Sequence, residues 1–194
     1  LKWRLDKKMC GPSMILAEIG THSYHLLRYV TNLEAKEISA EVNSLSSEIS
    51  VDDNAFLILR MNNKARASIW VSSAATGGEN GLKIRVYGTK GAVEWFQDEP
   101  NHLKFTELNK SAKIITRASN DVSDFSLKSS RLAAGHPEGF FEAFSNIYTE
   151  FADCILSNNK TNHTFPNIED GVKGIKFIFA AKKSSNNNSK WEKI

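Results

Sequence analysis

The chain has 194 residues, 41% of them apolar and 24% charged. That balance excludes an intrinsically disordered protein, and the length suits one domain with its own core. The net charge is only +3 and the lysines and arginines are scattered, which excludes a nucleic-acid or membrane-surface binder.

The sequence opens on Leu1 rather than methionine, so it reads as a processed chain or a piece of something longer. Residues 1–13 form an irregular entry segment closed by Gly11-Pro12-Ser13, a break that also starts helices. Residues 14–31 follow as a helix in which Ile15, Leu16, Ile19, Leu26, Leu27 and Val30 share one apolar stripe. Glu18, His22, His25 and Tyr29 gather on the edge of that stripe.

From 35 to 117 the texture becomes that of strands. Residues 37–45 alternate, 55–61 are almost continuously apolar, and 67–73, 82–88, 92–96, 102–108 and 112–116 alternate again. The joints carry turn chemistry, as at Asn62-Asn63, Gly77-Gly78 and Glu99-Pro100-Asn101. Short joints between successive strands predict an antiparallel meander. The apolar 55–61 strand is expected to be covered on both faces, by the domain's helices on one side and a partner subunit on the other.

Residues 118–135 are polar and without period, as in a lid, a binding loop or a disordered surface segment. Residues 136–185 are expected to supply helices that cover the sheet. The first begins at Pro137 and Glu138 and buries Phe140, Phe144, Ile147, Phe151 and Ile155. The second is capped by Asn167, and Trp191 docks the tail. The fold class is α+β, a single domain with a large, mostly antiparallel open sheet and helices over one face.

Cys10 and Cys154 stand in unrelated contexts and build neither a disulfide framework nor a metal knuckle, which favours a reducing cytoplasm. The sequons at Asn159 and Asn162 arise easily in so Asn-rich a chain. No apolar run reaches membrane-spanning length and no signal peptide opens the chain.

The chemistry concentrates on the polar edge of the first helix. Glu18 and His22 stand at i and i+4, with His25 one turn beyond. These groups can make ordinary local hydrogen bonds on a helix edge. They can form a three-ligand metal site, although H-E-x-x-H is absent. Or His22 can transfer a proton, with Glu18 orienting its ring, because an imidazole titrates near neutrality. Gly20 and Thr21 beside them permit close approach of a backbone or a ligand. No G-x-S-x-G nucleophile motif occurs, and the Gly-rich run 77–81 precedes a strand and lacks the spacing of a phosphate cradle.

The stretch 11–42, GPSMILAEIGTHSYHLLRYVTNLEAKEISAEV, resembles the start of the C-terminal domain of the Gfo/Idh/MocA oxidoreductases, whose helix carries D-x-G-x-H. The stretches LKIRVYGTKGAVEW, GHPEGFFEAFSNIYTEFADCI and FPNIEDGVKGIKFI fit the same family in the same order, as does Trp3-Arg4-Leu5-Asp6. The resemblance implies the fold that closes dihydrodipicolinate reductase and glyceraldehyde-3-phosphate dehydrogenase.

It also implies NAD(P)-dependent oxidation of a sugar or polyol CH–OH group. His22 would be the proton-transfer group and Glu18 its acidic partner, with Glu in place of the family's usual Asp. His25, Trp3, Arg4 and His136 would border the substrate. The family's members begin with a Rossmann domain bearing G-x-G-x-x-G and carry a lysine in E-K-P; neither motif occurs here. The chain therefore reads as the substrate-binding and oligomerisation half of such an enzyme, inactive alone. NAD or NADP is expected in the complete enzyme and not on this chain. The expected partners are the sugar, the missing Rossmann domain and a second copy of the sheet face. The alternative is a stand-alone sugar-binding or scaffold module that kept the fold without the chemistry.

Overall fold

A computed structural model describes residues 2–157 and 163–194; the sequons at Asn159 and Asn162 depend on residues outside this set. The described residues fall into two compact units, 1–79 with 166–194, and 80–165. The expected α+β class and antiparallel pairing hold, but the strands form two four-stranded sheets rather than one large one. The break falls where glycine-rich backbone interrupts the strand run, with Gly77, Glu79 and Gly81 at positive φ.

In the first unit, a 3₁₀ turn at Lys2–Leu5 and a π-helical turn at Leu16–Gly20 precede α1 (Thr21–Thr31). Strands β1 (Ala35–Asn43), β2 (Asn54–Met61) and β3 (Arg66–Ser72) form an antiparallel meander, and helix α4 (Ile168–Asn186) runs before the short β8 (Glu192–Lys193). The sheet order is β3-β2-β1-β8. Alternation sends Ile38, Ala40, Leu57, Leu59, Ile69 and Val71 to one face, where they meet Ile15, Leu16, Phe177, Ile178 and Ala181 from the helical layer.

Tyr24 of α1 and Phe177 of α4 stack at the centre, 4.3 Å between ring centroids and 7° from parallel. Because β8 is only two residues long, it cannot satisfy the whole outer edge of β1. Ser184 and Ser185 of α4 do so instead, their hydroxyls accepting from the Ala40 and Val42 amides at 3.0 Å. Trp191 docks as expected, under the Arg60 guanidinium at 4.0 Å.

The second face of β2, for which a partner subunit is expected, is left open by the helices of this chain. Phe56 and Ile58 are 53% and 52% exposed, since α1 and α4 cover only the side carrying Leu57, Leu59 and Met61. Trp70 of β3 stacks on Phe56 across the strands, 5.7 Å between centroids and 3° from parallel.

The second unit is the meander β4 (Lys83–Tyr87), β5 (Gly91–Phe96), β6 (His102–Glu107) and β7 (Lys113–Thr116), followed by α2 (Asp124–Ser129) and α3 (Phe140–Leu156). The polar 118–135 segment is neither featureless nor free. Arg117 donates to the carbonyls of Leu132, Ala133 and His136 at 2.9, 3.0 and 2.6 Å and pairs with Glu138 at 3.0 Å. Glu138 in turn accepts from the Arg131 amide at 2.6 Å.

Two expectations about α3 are corrected. Its cap is Gly139, whose amide donates to Glu142 at 2.8 Å, so Pro137 lies before the helix rather than in its first turn. Its apolar stripe of Phe140, Phe144, Ile147, Phe151 and Ile155 is exposed rather than buried. The described residues of this unit supply one sheet and one long helix but no layer that covers the stripe.

Candidate active-site helix face

The helix that carries Glu18 and His22 is started by a buried polar clamp. Asp52 accepts from the Ser13 hydroxyl at 2.8 Å, the Ile15 amide at 3.0 Å and the Lys182 ammonium at 3.0 Å, while Ser13 Oγ accepts from the Leu16 amide at 3.3 Å. These bonds satisfy donors that a helix start leaves without partners. The following turn is wound as a π-helix, a local widening that shifts every later side chain around the axis.

Gly20 closes that turn against α4. A Cβ there would sit 3.0 Å from Leu16 Cδ2 and 3.6 Å from Phe177 Cε1, and a Cβ on Gly174 would meet Thr21 Cγ2 at 3.6 Å. The small residues beside His22 therefore admit a second helix, one of the two kinds of close approach their sequence suggested.

Glu18 lies within that π turn. Its carboxylate is paired with the Arg4 guanidinium of the 3₁₀ entry turn, both side chains more than a third exposed. Arg4 lies 5.5 Å from the centroid of Trp3. Trp3, Arg4 and Glu18 are thus brought together. Among the described residues no hydrogen bond reaches His22 or His25, so none joins Glu18 to His22. His22 is exposed, and His25 is half-buried with its ring stacked on Tyr29.

His136 lies in the second unit, its carbonyl held by Arg117. Among the described residues no group of three His, Cys, Asp or Glu side chains is arranged to hold a metal ion. No described helix is long and apolar enough to cross a membrane.

Behind the exposed face stands a polar hub that the sequence did not reveal. Arg28 is 8% exposed; it forks onto Glu34 at 2.8 and 2.9 Å and reaches Asp170 of α4 at 3.1 Å, with its guanidinium 5.7 Å from the Tyr24 ring. Lys173 adds a 2.7 Å bond to Glu34. These contacts hold the Glu34 carboxyl down to about 2, the Arg28 hydrogen bond contributing most. Asp170 is also lowered, first by the Asn167 amide that caps α4, then by Arg28 and by the charge of His25. The hub thus ties α1 to α4 and to the start of β1. Its one sequence signal is an arginine inside an apolar stripe, and its partner Asp170 is 142 residues away.

A dinucleotide needs a strand, a glycine-rich turn and a helix N-terminus for its pyrophosphate. The sheets described are antiparallel and the sequence has no G-x-G-x-x-G, so these residues do not fit a nicotinamide cofactor's phosphate grip.

Residues 1–94 match the GFO/IDH/MocA C-terminal domain. An oxidoreductase of Bacillus subtilis (strain 168), YfiI, described as uncharacterized, is 31% identical over 198 residues, covering 98% of this chain and 50% of that protein. An oxidoreductase structure from Sinorhizobium meliloti superposes with a TM-score of 0.87 at 39% identity, over 91% of this chain and 51% of that one. An inositol dehydrogenase homolog from Azotobacter vinelandii, complexed with NADH and myo-inositol, gives a TM-score of 0.90 at 29% identity, over 100% of this chain and 52% of that one. The chain spans about half the length of these relatives.

Proposed function

The chain belongs to the Gfo/Idh/MocA family as its C-terminal domain, and on that premise we propose that it is the substrate half of an oxidoreductase acting on a sugar or polyol CH–OH group, with His22 as proton acceptor. The observation that carries this reading is the state of His22: an exposed imidazole just past a π turn, without a hydrogen bond among the described residues, on a helix tied to α4. A group that must take a proton from a bound hydroxyl needs an unoccupied ring nitrogen and a fixed position. His25 and the Trp3–Arg4 turn would border the same hydroxylated substrate.

In the complete enzyme the nicotinamide of NAD or NADP would accept hydride from the substrate carbon when bound. The residues that would grip it belong to a cofactor-binding domain of the kind that precedes this one in the family. This chain contributes the placement of the hydroxyl and the removal of its proton. The test is His22→Ala in the complete enzyme, for which a loss of about 10²- to 10⁴-fold in kcat is expected; near wild-type turnover would remove His22 from the mechanism.

A second reading, a sugar-binding module without chemistry, draws on the Arg4–Glu18 pair, which takes the family's acidic partner away from His22. Turnover by the complete chain would dismiss it. For the open sheet face we assign a second copy of the chain as cover, because Phe56, Ile58 and Trp70 (60% exposed) form a continuous apolar surface there. A clean monomer by size exclusion with light scattering at high concentration would count against that assignment.

A further inference from the structure

We propose that Tyr29 is a further substrate-binding residue, whose ring, laid on His25, forms a platform for the C–H face of a cyclic sugar or cyclitol. The proposal rests on the reading of the His22 face as a sugar site and adds ring specificity to it.

Within α1, His22, His25, Leu26 and Tyr29 fall inside an arc of roughly 100° on the exposed side, because each residue turns about 100°. Tyr29 stands about 10 Å along the axis from His22 at 1.5 Å per residue, with His25 between them. The rings of His25 and Tyr29 stack at 6.2 Å between centroids and 27° from parallel. Tyr29 is 52% exposed.

The core does not use this ring. The buried face of α1 is occupied by Tyr24 on Phe177 and by the Arg28 hub. Among the described residues no hydrogen bond reaches the Tyr29 hydroxyl, so the side chain is held by its stack alone. Next to it on the same face, His25 is half-buried and carries the stacked ring. The result is a stacked pair of rings with the Tyr29 ring open to solvent, on the same side of the helix as the imidazole of His22.

A pyranose or cyclitol presents a rigid, weakly polar C–H face on one side and hydroxyls around its rim. An aromatic ring accepts the first, and polar groups such as His22 and His25 accept the second. An open-chain polyol rotates about each C–C bond and presents no continuous C–H face, so the platform favours the ring.

The experiment measures binding to this chain by saturation-transfer NMR, with methyl β-D-glucopyranoside as the cyclic probe and sorbitol as the acyclic one. Tyr29→Leu should weaken the glucoside about five- to tenfold, the size of one aromatic contact, and leave sorbitol within about twofold. Tyr29→Phe should bind both probes as the wild type does. The proposal is overturned if Tyr29→Leu keeps the glucoside affinity, if it weakens both probes alike, if Tyr29→Phe is as poor as Tyr29→Leu, or if the wild-type chain binds neither probe. The proton-transfer reading fails separately: a complete enzyme indifferent to His22→Ala loses that reading, while a Tyr29-dependent preference for the glucoside still stands.

Discussion

Arg28 and Glu34 are joined by a two-pronged contact, Nε to Oε2 at 2.8 Å and Nη2 to Oε1 at 2.9 Å, across the turn that links α1 to β1. The arginine is almost buried and the glutamate nearly half exposed. Truncating the buried partner is therefore the harsher change. It would leave two carboxylates, Glu34 and Asp170, facing a cavity without their cation.

The Glu34 carboxyl, held down to about 2 from its ordinary 4.5, makes stability depend on pH in a fixed direction. A depressed carboxylate contributes its full share above its unfolded value and loses that share as pH falls through its folded one. The window is thus between about pH 4.5 and pH 2. Solvent screening of so exposed a carboxylate reduces its worth to about 1 kcal/mol. Glu34→Gln should cost that much at neutral pH, and the difference from wild type should vanish at the acid end of the window. Chemical denaturation across this range measures it, and an unchanged difference at pH 2 would contradict it.

The Tyr24–Phe177 stack supplies a prediction at the other end of the scale. Burial, with Glu34 adding and Arg28 opposing, pushes the Tyr24 phenol up to about 12 from 10.0. A raised phenol stabilises the fold below pH 10, and the benefit is lost as pH rises through about 12. Phe177→Ala should destabilise the first unit by about 3–5 kcal/mol and move the Tyr24 titration back toward that of a free phenol. Urea melts and ultraviolet titration of the variant test the two halves together. A large stability loss with an unmoved phenol would show that Phe177 is not what buries Tyr24.

Two glycines should respond with opposite signs. A Cβ on Gly91 would lie 2.5 Å from the Thr106 carbonyl oxygen of the neighbouring strand, a backbone atom that cannot swing aside. Gly91→Ala is expected to cost about 2 kcal/mol. Nothing lies within 4 Å of a Cβ on Gly171, early in α4, so Gly171→Ala should stabilise by up to about 1 kcal/mol. Thermal melts of the two variants decide it, and a shift in the same direction would defeat the argument.

What the sequence made legible follows from the range of each interaction. The strand positions of β1 to β7 and the Asn167 cap rest on local signals, and they stand in the structure much as read. The apolar run of β2 reads as covered on both faces and the helices of this chain cover one of them, because such a run does not say what covers each side. The α3 stripe was misjudged for the same reason: amphipathicity promises a partner without naming one. No simple residue pattern marks the π turn, nor the pairing of Glu18 within it with Arg4 of the entry turn. The Arg28–Asp170 and Lys182–Asp52 pairs join residues more than a hundred positions apart, beyond any periodicity.

The Arg4–Glu18 pair leads to a prediction about chemistry rather than stability. Both side chains are more than a third exposed, so Arg4→Gln should change folding stability by no more than about 0.5 kcal/mol. It would nevertheless free the Glu18 carboxylate to turn toward His22. A carboxylate beside an imidazole favours the protonated ring, and a protonated His22 cannot accept a proton. In the complete enzyme, Arg4→Gln should therefore shift the acid limb of the kcat/KM profile to higher pH and lower kcat/KM on that limb by roughly tenfold. Glu18→Gln in the same background should move the limb back, because it removes the charge that Arg4 had held. If Arg4→Gln leaves the profile unchanged, the pair is a surface contact of the entry turn. If the double variant fails to restore the limb, Arg4 acts on the substrate directly and not through Glu18.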